Sequence, residues 1–490
     1  MKTITEGHLN FKDFEKIIFE IMCRAAREEM QLYLELVDRS IMALRDTKEY
    51  RLIGTRTTTV KTLMGEVTFR RRYYKKRDGC HVFLLDEEME VNCGCGLVSG
   101  NLAEQVAIEC SEKPFRKAAS SISSLTGQSI SAQGAWNIVQ RYGEIIEGQE
   151  ARLKELDENG ADGQLGNISS RVLFDELDDV WLPVQKEKRR KRGVNTAADK
   201  KAGKKPMHIG TAYTGWTQAK DGRYGTANKI AYASFDDVSG FTSGFETLLR
   251  HCFDMDGVEY RITNGDGDPW IRAAAAANDS VLQLDPYHRG QAVIKAVRDK
   301  SDRKAVFDAI GEKDVDKVLH IVSALAAKAQ DGPAREKIVK LYGYFNSNRD
   351  SFLTWQERGT ELPAPPEGVA YRNLGVQESS NCNLLTLRMK NRKGSWGVNG
   401  ANHMAKLLCF RNTIGLDAIL GALPEAPSSE AVAEPLSAAK SPFYDGKGNG
   451  ADWLYARMPF EQAFKTNGRE AVRGLLRQRP VSGLAFRQGR

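Results

Sequence analysis

The sequence predicts an α/β fold: a mixed sheet interrupted by an all-helical insertion and preceded by a helical and β-hairpin region. Three observations predict it. From residue 171 onward, short runs rich in Val, Ile, Leu and Tyr alternate with helical patterns, as strands and crossover helices of one sheet do. Residues 286–357 carry helical periodicity alone, too long a stretch for a loop inside a sheet. Ahead of both, residues 9–46 and 100–155 repeat apolar residues at helical spacing, with a Thr- and Val-rich segment between them.

A chain of 490 residues is too long for one ordinary domain. A hydrophobic share of 41% with 28% charged residues suits a globular protein with a real core. Apolar runs such as 273–277 fall far short of a membrane span, and "MKTITEGHLN" lacks an apolar signal region. The expectation is a cytoplasmic protein with no membrane partner. Eight cysteines without disulfide spacing fit reduced thiols. The net charge of +7 is local: residues 186–205 hold ten Lys/Arg and two acids, +8 in all, leaving about −1 elsewhere. Lys188, Arg189, Arg190, Lys191 and Arg192 form its dense part. Such a block suits phosphate contact, and a solvated loop is the plain alternative.

Residues 1–100 form the N-terminal helical and hairpin region. Phe14, Ile17, Ile18, Ile21, Ala25 and Ala26 recur at helical spacing and predict one apolar helix face. In "TRTTTVKTLMGEVTFRRRYYKKRDG", Gly65 separates two strand-like arms, which predicts a hairpin over 50–85. Arg70, Arg71 and Arg72 beside Tyr73 and Tyr74 suit a nucleic-acid surface; the polar face of a small sheet accounts for them as well. Cys80, His81, Cys93 and Cys95 suggest a zinc knuckle, but Cys-Gly-Cys is not the usual two-residue gap.

Residues 101–160 read as a helix-turn-helix-like region. Phe115, Ala118, Ala119, Ile122 and Leu125 predict one helix face; Thr126-Gly127-Gln128 is a short turn. Ser131 then opens a helix with Ala135, Trp136, Ile138 and Val139 inward. That leaves Ser131, Gln133 and Asn137 to meet base edges; a plain helical hairpin is the alternative. Residues 156–169 read as a Gly/Asp-rich linker.

The core is expected over 170–285 and 368–422, with 286–367 as the insertion. Strands are predicted at 171–185, 207–216 and 226–235, a helix at 243–254, a strand at 258–266, a helix at 269–279 and a strand at 281–285. Three meandering strands, a helix, then β-α-β is the strand plan of an RNase H-like sheet. Residues 423–450, rich in Pro, Ala and Ser, read as a flexible linker, and 451–490 as a basic tail.

The carboxylates carry the chemistry. Asp268-Pro269 and Asp285-Pro286 read as helix caps. Asp266 is left over, at the carboxyl end of a strand between Gly265 and Gly267, where ligands of open α/β sheets gather. "RVLFDELDDVWLPVQ" sets Asp175, Glu176, Asp178 and Asp179 among apolar strand residues. Bare carboxylates there are costly, and a divalent cation removes the cost; an exposed edge strand with solvated acids is the alternative. Glu378 opens a helix followed by Arg388, Lys390, Arg392 and Lys393, an arrangement that suits a metal beside a phosphodiester; the helix dipole alone also favours an acid there.

The motifs "VLFDELDDVWLPVQ", "NGDGDPWI", "LDPYHRGQAV", "TGQSISAQGAWNIVQ" and "RMKNRKGSWGVNGANHMAKLL" together resemble the ISLre-type insertion-sequence transposases, a DDE family related to the Mutator-like group. The resemblance runs from about residue 10 to about 420. It implies an RNase H-like catalytic core and a metal-binding DDE triad, placed on Asp178, Asp266 and Glu378. Asp285 and His288 match an accessory Asp-or-Cys, two residues, His pattern. The family tends to Asp-Gly where this chain has Asp178-Asp179, so Asp179 is a second candidate ligand. Asp268 stands where a small residue is usual. Two Mg²⁺ ions, with Mn²⁺ able to substitute, are the expected cofactors. The expected partners are double-stranded DNA, as terminal repeats and target, and a second copy of the chain, since two ends must be paired. A DNA-binding regulator without catalysis is the alternative, and a sequence-relaxed nuclease a third.

Overall fold

The computed structural model describes residues 10–89, 91, 97–159, 166–185, 203–329, 332–391 and 394–413. They divide into two compact units, one up to Arg141 and one from Tyr142.

The first unit opens with α1 (Phe11–Leu44), capped by Asn10, whose side chain accepts from the Asp13 amide at 2.9 Å. The hairpin β1 (Tyr50–Thr62) and β2 (Gly65–Lys76) follows, in register from Tyr50–Lys76 to Thr62–Gly65. Gly65 turns it at φ +121°, where a side chain would strike Arg27. Val37, Ile41, Val60, Val67, Phe69 and Leu85 form the core between helix and hairpin. The expected face of α1 is corrected: Phe14, Ile17 and Ile18 are exposed, whereas Cys23, Val37 and Ile41 are buried. The hairpin tip meets the helix at Arg27, so the first turns extend past what covers it. β3 (His81–Val82) and α2 (Leu84–Glu88) complete this part.

Three helices come next: α3 (Gly100–Glu112), α4 (Phe115–Thr126) and α5 (Ala132–Glu158). Left-handed Gly127, at φ +69°, ends α4. Ser131 starts α5 by accepting from the Gly134 amide at 2.9 Å. Ala118, Ala119, Ile122, Ala135, Ile138 and Val139 are buried as expected, but Leu125 is 67% and Trp136 38% exposed. Periodicity marked an apolar stripe wider than its neighbours cover. The predicted linker also begins as helix, since α5 runs to Glu158.

The second unit is built on a five-stranded sheet of β4 (Val172–Pro183), β5 (Lys204–Tyr213), β8 (Ile230–Ser234), β9 (Tyr260–Gly265) and β10 (Val281–Leu284), in the order β10-β9-β4-β5-β8. β4 is antiparallel to β5, β5 to β8; β9 is parallel to β4 and β10 to β9. β4 is therefore the central strand, which excludes the exposed-edge alternative and explains its near-continuous burial. β6 (Gly215–Gln218) and β7 (Tyr224–Ala227) join β11 (Val369–Ala370) in a small sheet, so the two strands predicted at 207–216 and 226–235 each divide in two.

One sheet face packs on α6 (Val238–Cys252) and α7 (Pro269–Ala277) through Leu173, Leu177, Phe241, Phe245 and Ile271. The insertion is α8 (Pro286–Ala296), α9 (Lys300–Gly311), α10 (Val315–Lys328) and α11 (Pro333–Ser347). It has a core of its own, with Val293, Val306, Val318, Leu341 and Phe345 at its centre. The chain re-enters through α12 (Gln377–Asn381), which continues as a π-helical stretch Cys382–Lys390, and ends with α13 (Val398–Thr413). No helix among the described residues is long and apolar enough to cross a membrane.

Candidate metal centre

The four acids of β4 divide by strand alternation. Asp175 and Asp179 face α6 and α7. Fully buried Asp175 accepts from Arg261 at 2.6 and 3.0 Å and from Thr263 at 2.6 Å. Arg261 also donates to Glu246 at 2.7 and 2.8 Å, closing a buried acid–base–acid network. Asp179 is paired across the strands with His208, Nδ1 to Oδ1 2.6 Å.

Glu176 and Asp178 point the other way. Glu176 is fully buried and accepts from Tyr213 Oη at 2.5 Å, Asn264 Nδ2 at 2.9 Å and the amides of Gly375, Val376 and Gln377 at 3.0–3.2 Å. Burial pushes its pKa up against those donors. The partners that a metal was expected to supply are thus found inside the fold: the Arg261 charge for Asp175, hydrogen bonds for Glu176 and a hydrogen bond with His208 for Asp179. Asp178 is the acid that remains for a site.

Asp178 Oδ1 accepts from the Asp179 amide at 2.8 Å and Oδ2 from Asn381 Nδ2 at 2.6 Å. Burial raises its pKa to about 6, with the Asp266 charge adding to the shift. Glu378 stands in the first turn of α12, half exposed. His288, two residues into α8, places Nε2 3.7 Å from Glu378 Oε1 and Nδ1 3.4 Å from Asp285 Oδ2. The Asp285 carboxylate beside Nδ1 is the main cause that raises the His288 pKa to about 8, with Asp178 and Asp266 assisting. Among the described residues, Asp178, His288 and Glu378 each offer a ligand atom, all within 4.8 Å of one another.

The structure therefore brings together two of the three expected carboxylates, and His288, expected as an accessory, is the third member. Asp266 borders the group: its charge acts on Asp178 and His288, but it is not one of the three mutually close residues. Its Oδ1 accepts from the Asp268 amide at 3.0 Å, and Tyr344 Oη holds its carbonyl at 2.6 Å. The expected division of labour in this loop is corrected. Asp268 occupies the cap position of α7 but makes no side-chain capping bond; Asp266 binds the local amide instead. The flanking glycines serve packing and turning. A side chain at Gly265 would strike Ile271, and Gly267 sits at φ +85° against Asn348. Asp285 does cap α8, accepting from the Tyr287 amide at 2.9 Å. That cap was legible in Asp285-Pro286, with His288 three residues on, and Glu176 stood out as an acid in an apolar strand; Gln377 and Asn381 carried no signal.

Oxygens of Asp178 and Glu378 suit Mg²⁺ or Mn²⁺, and the His288 nitrogen tilts the set toward the transition ion of the two, Mn²⁺. The donor set fits a hard divalent cation.

The expected DNA-contacting residues fare unequally. Arg70 is exposed, but Arg71 is buried against Phe83 and ion-paired with Asp86, and Arg72 binds Asp38 at 2.5 Å. Ser131, Gln133 and Asn137 are exposed, the last two hydrogen-bonded to each other at 2.9 Å. Lys390 is exposed, while Arg388 is buried with its guanidinium 5.1 Å from the Trp396 ring. His81 stacks on Tyr73 at 5.1 Å, and Cys80 is exposed. Lys204 and Lys205, the end of the basic block, belong to β5. Lys188, Arg189, Arg190, Lys191, Arg192, Arg392, Lys393, Cys93, Cys95 and residues 423–490 lie outside the described residues.

The model of an uncharacterised protein family, UPF0236, matches residues 4–419. A UPF0236 protein of Caldanaerobacter subterraneus subsp. tengcongensis, whose name joins eleven locus designations, is 24% identical over 84% of this chain and 80% of its own length. A UPF0236 protein from the vanSb 3′ region of Streptococcus gallolyticus is 22% identical over 82% of this chain and 83% of its own.

Proposed function

This chain belongs to the UPF0236 family, and from that premise we propose that it is a DNA transposase of the ISLre type, with an RNase H-like core that cuts and joins DNA strands. The observation that carries the reading is the 4.8 Å grouping of Asp178, His288 and Glu378, drawn from β4, α8 and α12. The sheet order supports it: numbered along the chain, the strands run 3-2-1-4-5, with the first three antiparallel and the last two parallel to the first, as in an RNase H-like sheet. The eleven designations joined in one relative's name also support it, since an element that copies itself leaves one coding sequence at many positions.

In this reading Asp178, Glu378 and His288 hold the cation and Asp266 adds charge at its edge. Bound Mg²⁺ or Mn²⁺ would activate the attacking oxygen and offset the charge of the leaving one. Asn381 and the Asp179 amide keep both oxygens of Asp178 oriented. Asp285 fixes the His288 ring by its position beside Nδ1. Arg70, Ser131, Gln133, Asn137 and Lys390 contact DNA, as terminal repeats or target, and two copies of the chain pair the two ends.

One observation favours a DNA-binding regulator that does not cut: Asp266 stands outside the mutually close group. The deciding experiment is strand cleavage and joining on a duplex carrying element ends, with Mg²⁺ or Mn²⁺. Activity in the wild type that Asp178→Asn and Glu378→Gln abolish is expected. Binding without nicking even in Mn²⁺ refutes the enzyme, and equal cutting of DNA without ends makes it a relaxed nuclease.

A further inference from the structure

Burying a carboxylate completely is costly unless hydrogen bonds occupy it. Asp175 and Glu176 are neighbours, both buried, and their partners differ in kind. Asp175 is held by side chains of β9, which ties the sheet together. Three of the five donors to Glu176 are successive backbone amides, Gly375, Val376 and Gln377, about 200 residues away at the start of the helix that bears Glu378. Gly375 takes φ +131°, the left-handed region that glycine favours, and the bend lets three N–H groups converge on one carboxylate.

A second set of bonds fastens the other end of the same turn. Thr211 donates to Gln377 Oε1 at 2.7 Å, Gln377 Nε2 to Asn381 Oδ1 at 2.8 Å, and Asn381 Nδ2 to Asp178 Oδ2 at 2.6 Å. The spacings match. Glu176 and Asp178 are two residues apart on one face of β4, about 6.8 Å along a strand. Gln377 and Asn381 are four apart on α12, about 6 Å along a helix. Each end of the turn therefore meets its own acid, and Glu378 lies between them. The helix changes to π-winding immediately after, at Cys382, and both the α-turn and the π-wound stretch pack on β4.

We infer that Glu176 is a positioning residue: by seating the start of α12 on β4, it sets Glu378 opposite Asp178 at a separation that one cation can span. This rests on the metal-centre reading above. Glu176 touches neither cation nor substrate; it acts through the backbone of the helix.

The test uses the full chain and Mn²⁺ itself. Mn²⁺ affinity is measured by calorimetry or electron paramagnetic resonance, amide exchange at 375–381 by deuterium uptake, and folding by thermal melting, for the wild type, Glu176→Gln and Asp175→Asn. Glu176→Gln keeps the shape but turns a donor toward the amides. It is expected to weaken Mn²⁺ binding about 10–100-fold, as changes behind a metal ligand do, and to speed exchange at 375–377. Asp175→Asn is expected to lower the melting temperature and leave Mn²⁺ affinity at the wild-type value. Wild-type affinity in Glu176→Gln, or equal losses in both variants, overturns the inference. If Glu176→Gln does not fold, Gln377→Glu, which sets a carboxylate against Asn381 Oδ1, takes its place: a comparable loss supports the seat and wild-type affinity overturns it. A wild type that binds no Mn²⁺ refutes the metal-centre reading instead; exchange then decides, unchanged rates at 375–377 in Glu176→Gln overturning the seat and faster ones supporting it.

Discussion

Asn381 Nδ2 donates to Asp178 Oδ2 at 2.6 Å, joining positions 203 residues apart and fixing the orientation of the one β4 carboxylate that faces the cluster. Asp178 sits there at a cost, because burial and the Asp266 charge both oppose its ionised form. Asp178→Asn removes that cost together with a ligand. The expected outcome is a melting temperature of the metal-free protein equal to or above the wild type, with Mn²⁺ binding lost. Calorimetry of melting and of Mn²⁺ titration checks both halves.

The Asp175–Arg261–Glu246 network predicts a large loss of stability when its cation is removed. Arg261→Met leaves a fully buried aspartate without its counter-charge. A cost of about 3–5 kcal/mol is expected, measured by urea unfolding. A loss under about 1 kcal/mol would contradict the network's weight.

Gly267 links the loop of Asp266 to the insertion. Its φ is +85°, and an added Cβ would lie 2.5 Å from Asn348 Oδ1. Gly267→Ala is expected to cost about 1–3 kcal/mol, again by urea unfolding, and to weaken Mn²⁺ binding because the loop must shift. Unchanged stability would mean that Asn348 yields freely.

Neighbouring arginines on β2 are expected to behave oppositely. Arg70 is exposed, so Arg70→Ala should weaken DNA binding, reduce the salt slope of log K by about 1 and leave folding untouched. Arg71→Ala strands Asp86 and uncovers Phe83, so it should destabilise the hairpin. Fluorescence anisotropy across a salt series and thermal melting separate the two. Equal salt slopes for Arg70→Ala and wild type would remove Arg70 from the interface.

The main helices and strands of the chain were legible in sequence, as were the helical run after residue 286, the Gly65 turn and the Asp285 cap; the short β3 and α2 and the division of two predicted strands were not. These depend on near neighbours along the chain: apolar periodicity, a glycine free to take positive φ, an aspartate before a proline. The same signals overreached where a neighbour in space decides the outcome. Phe14, Leu125 and Trp136 lie on apolar stripes yet stay exposed among the described residues, and Arg71 and Arg388 lie in basic runs yet are turned inward.

Sequence by itself determined that four acids share one strand and that alternation sends two to each face; the place of β4 at the centre of the sheet is what buries them. Only the tertiary structure decided which of them stands beside His288 and Glu378. Arg261, His208 and the amides at 375–377 reach β4 from strands and a helix up to 201 residues away, and each neutralises or occupies one carboxylate. A side chain's charge is set by its residue type, but the cost of burying that charge is set by what the fold packs against it. That difference leaves Asp178, with His288 and Glu378, as the group able to share a cation.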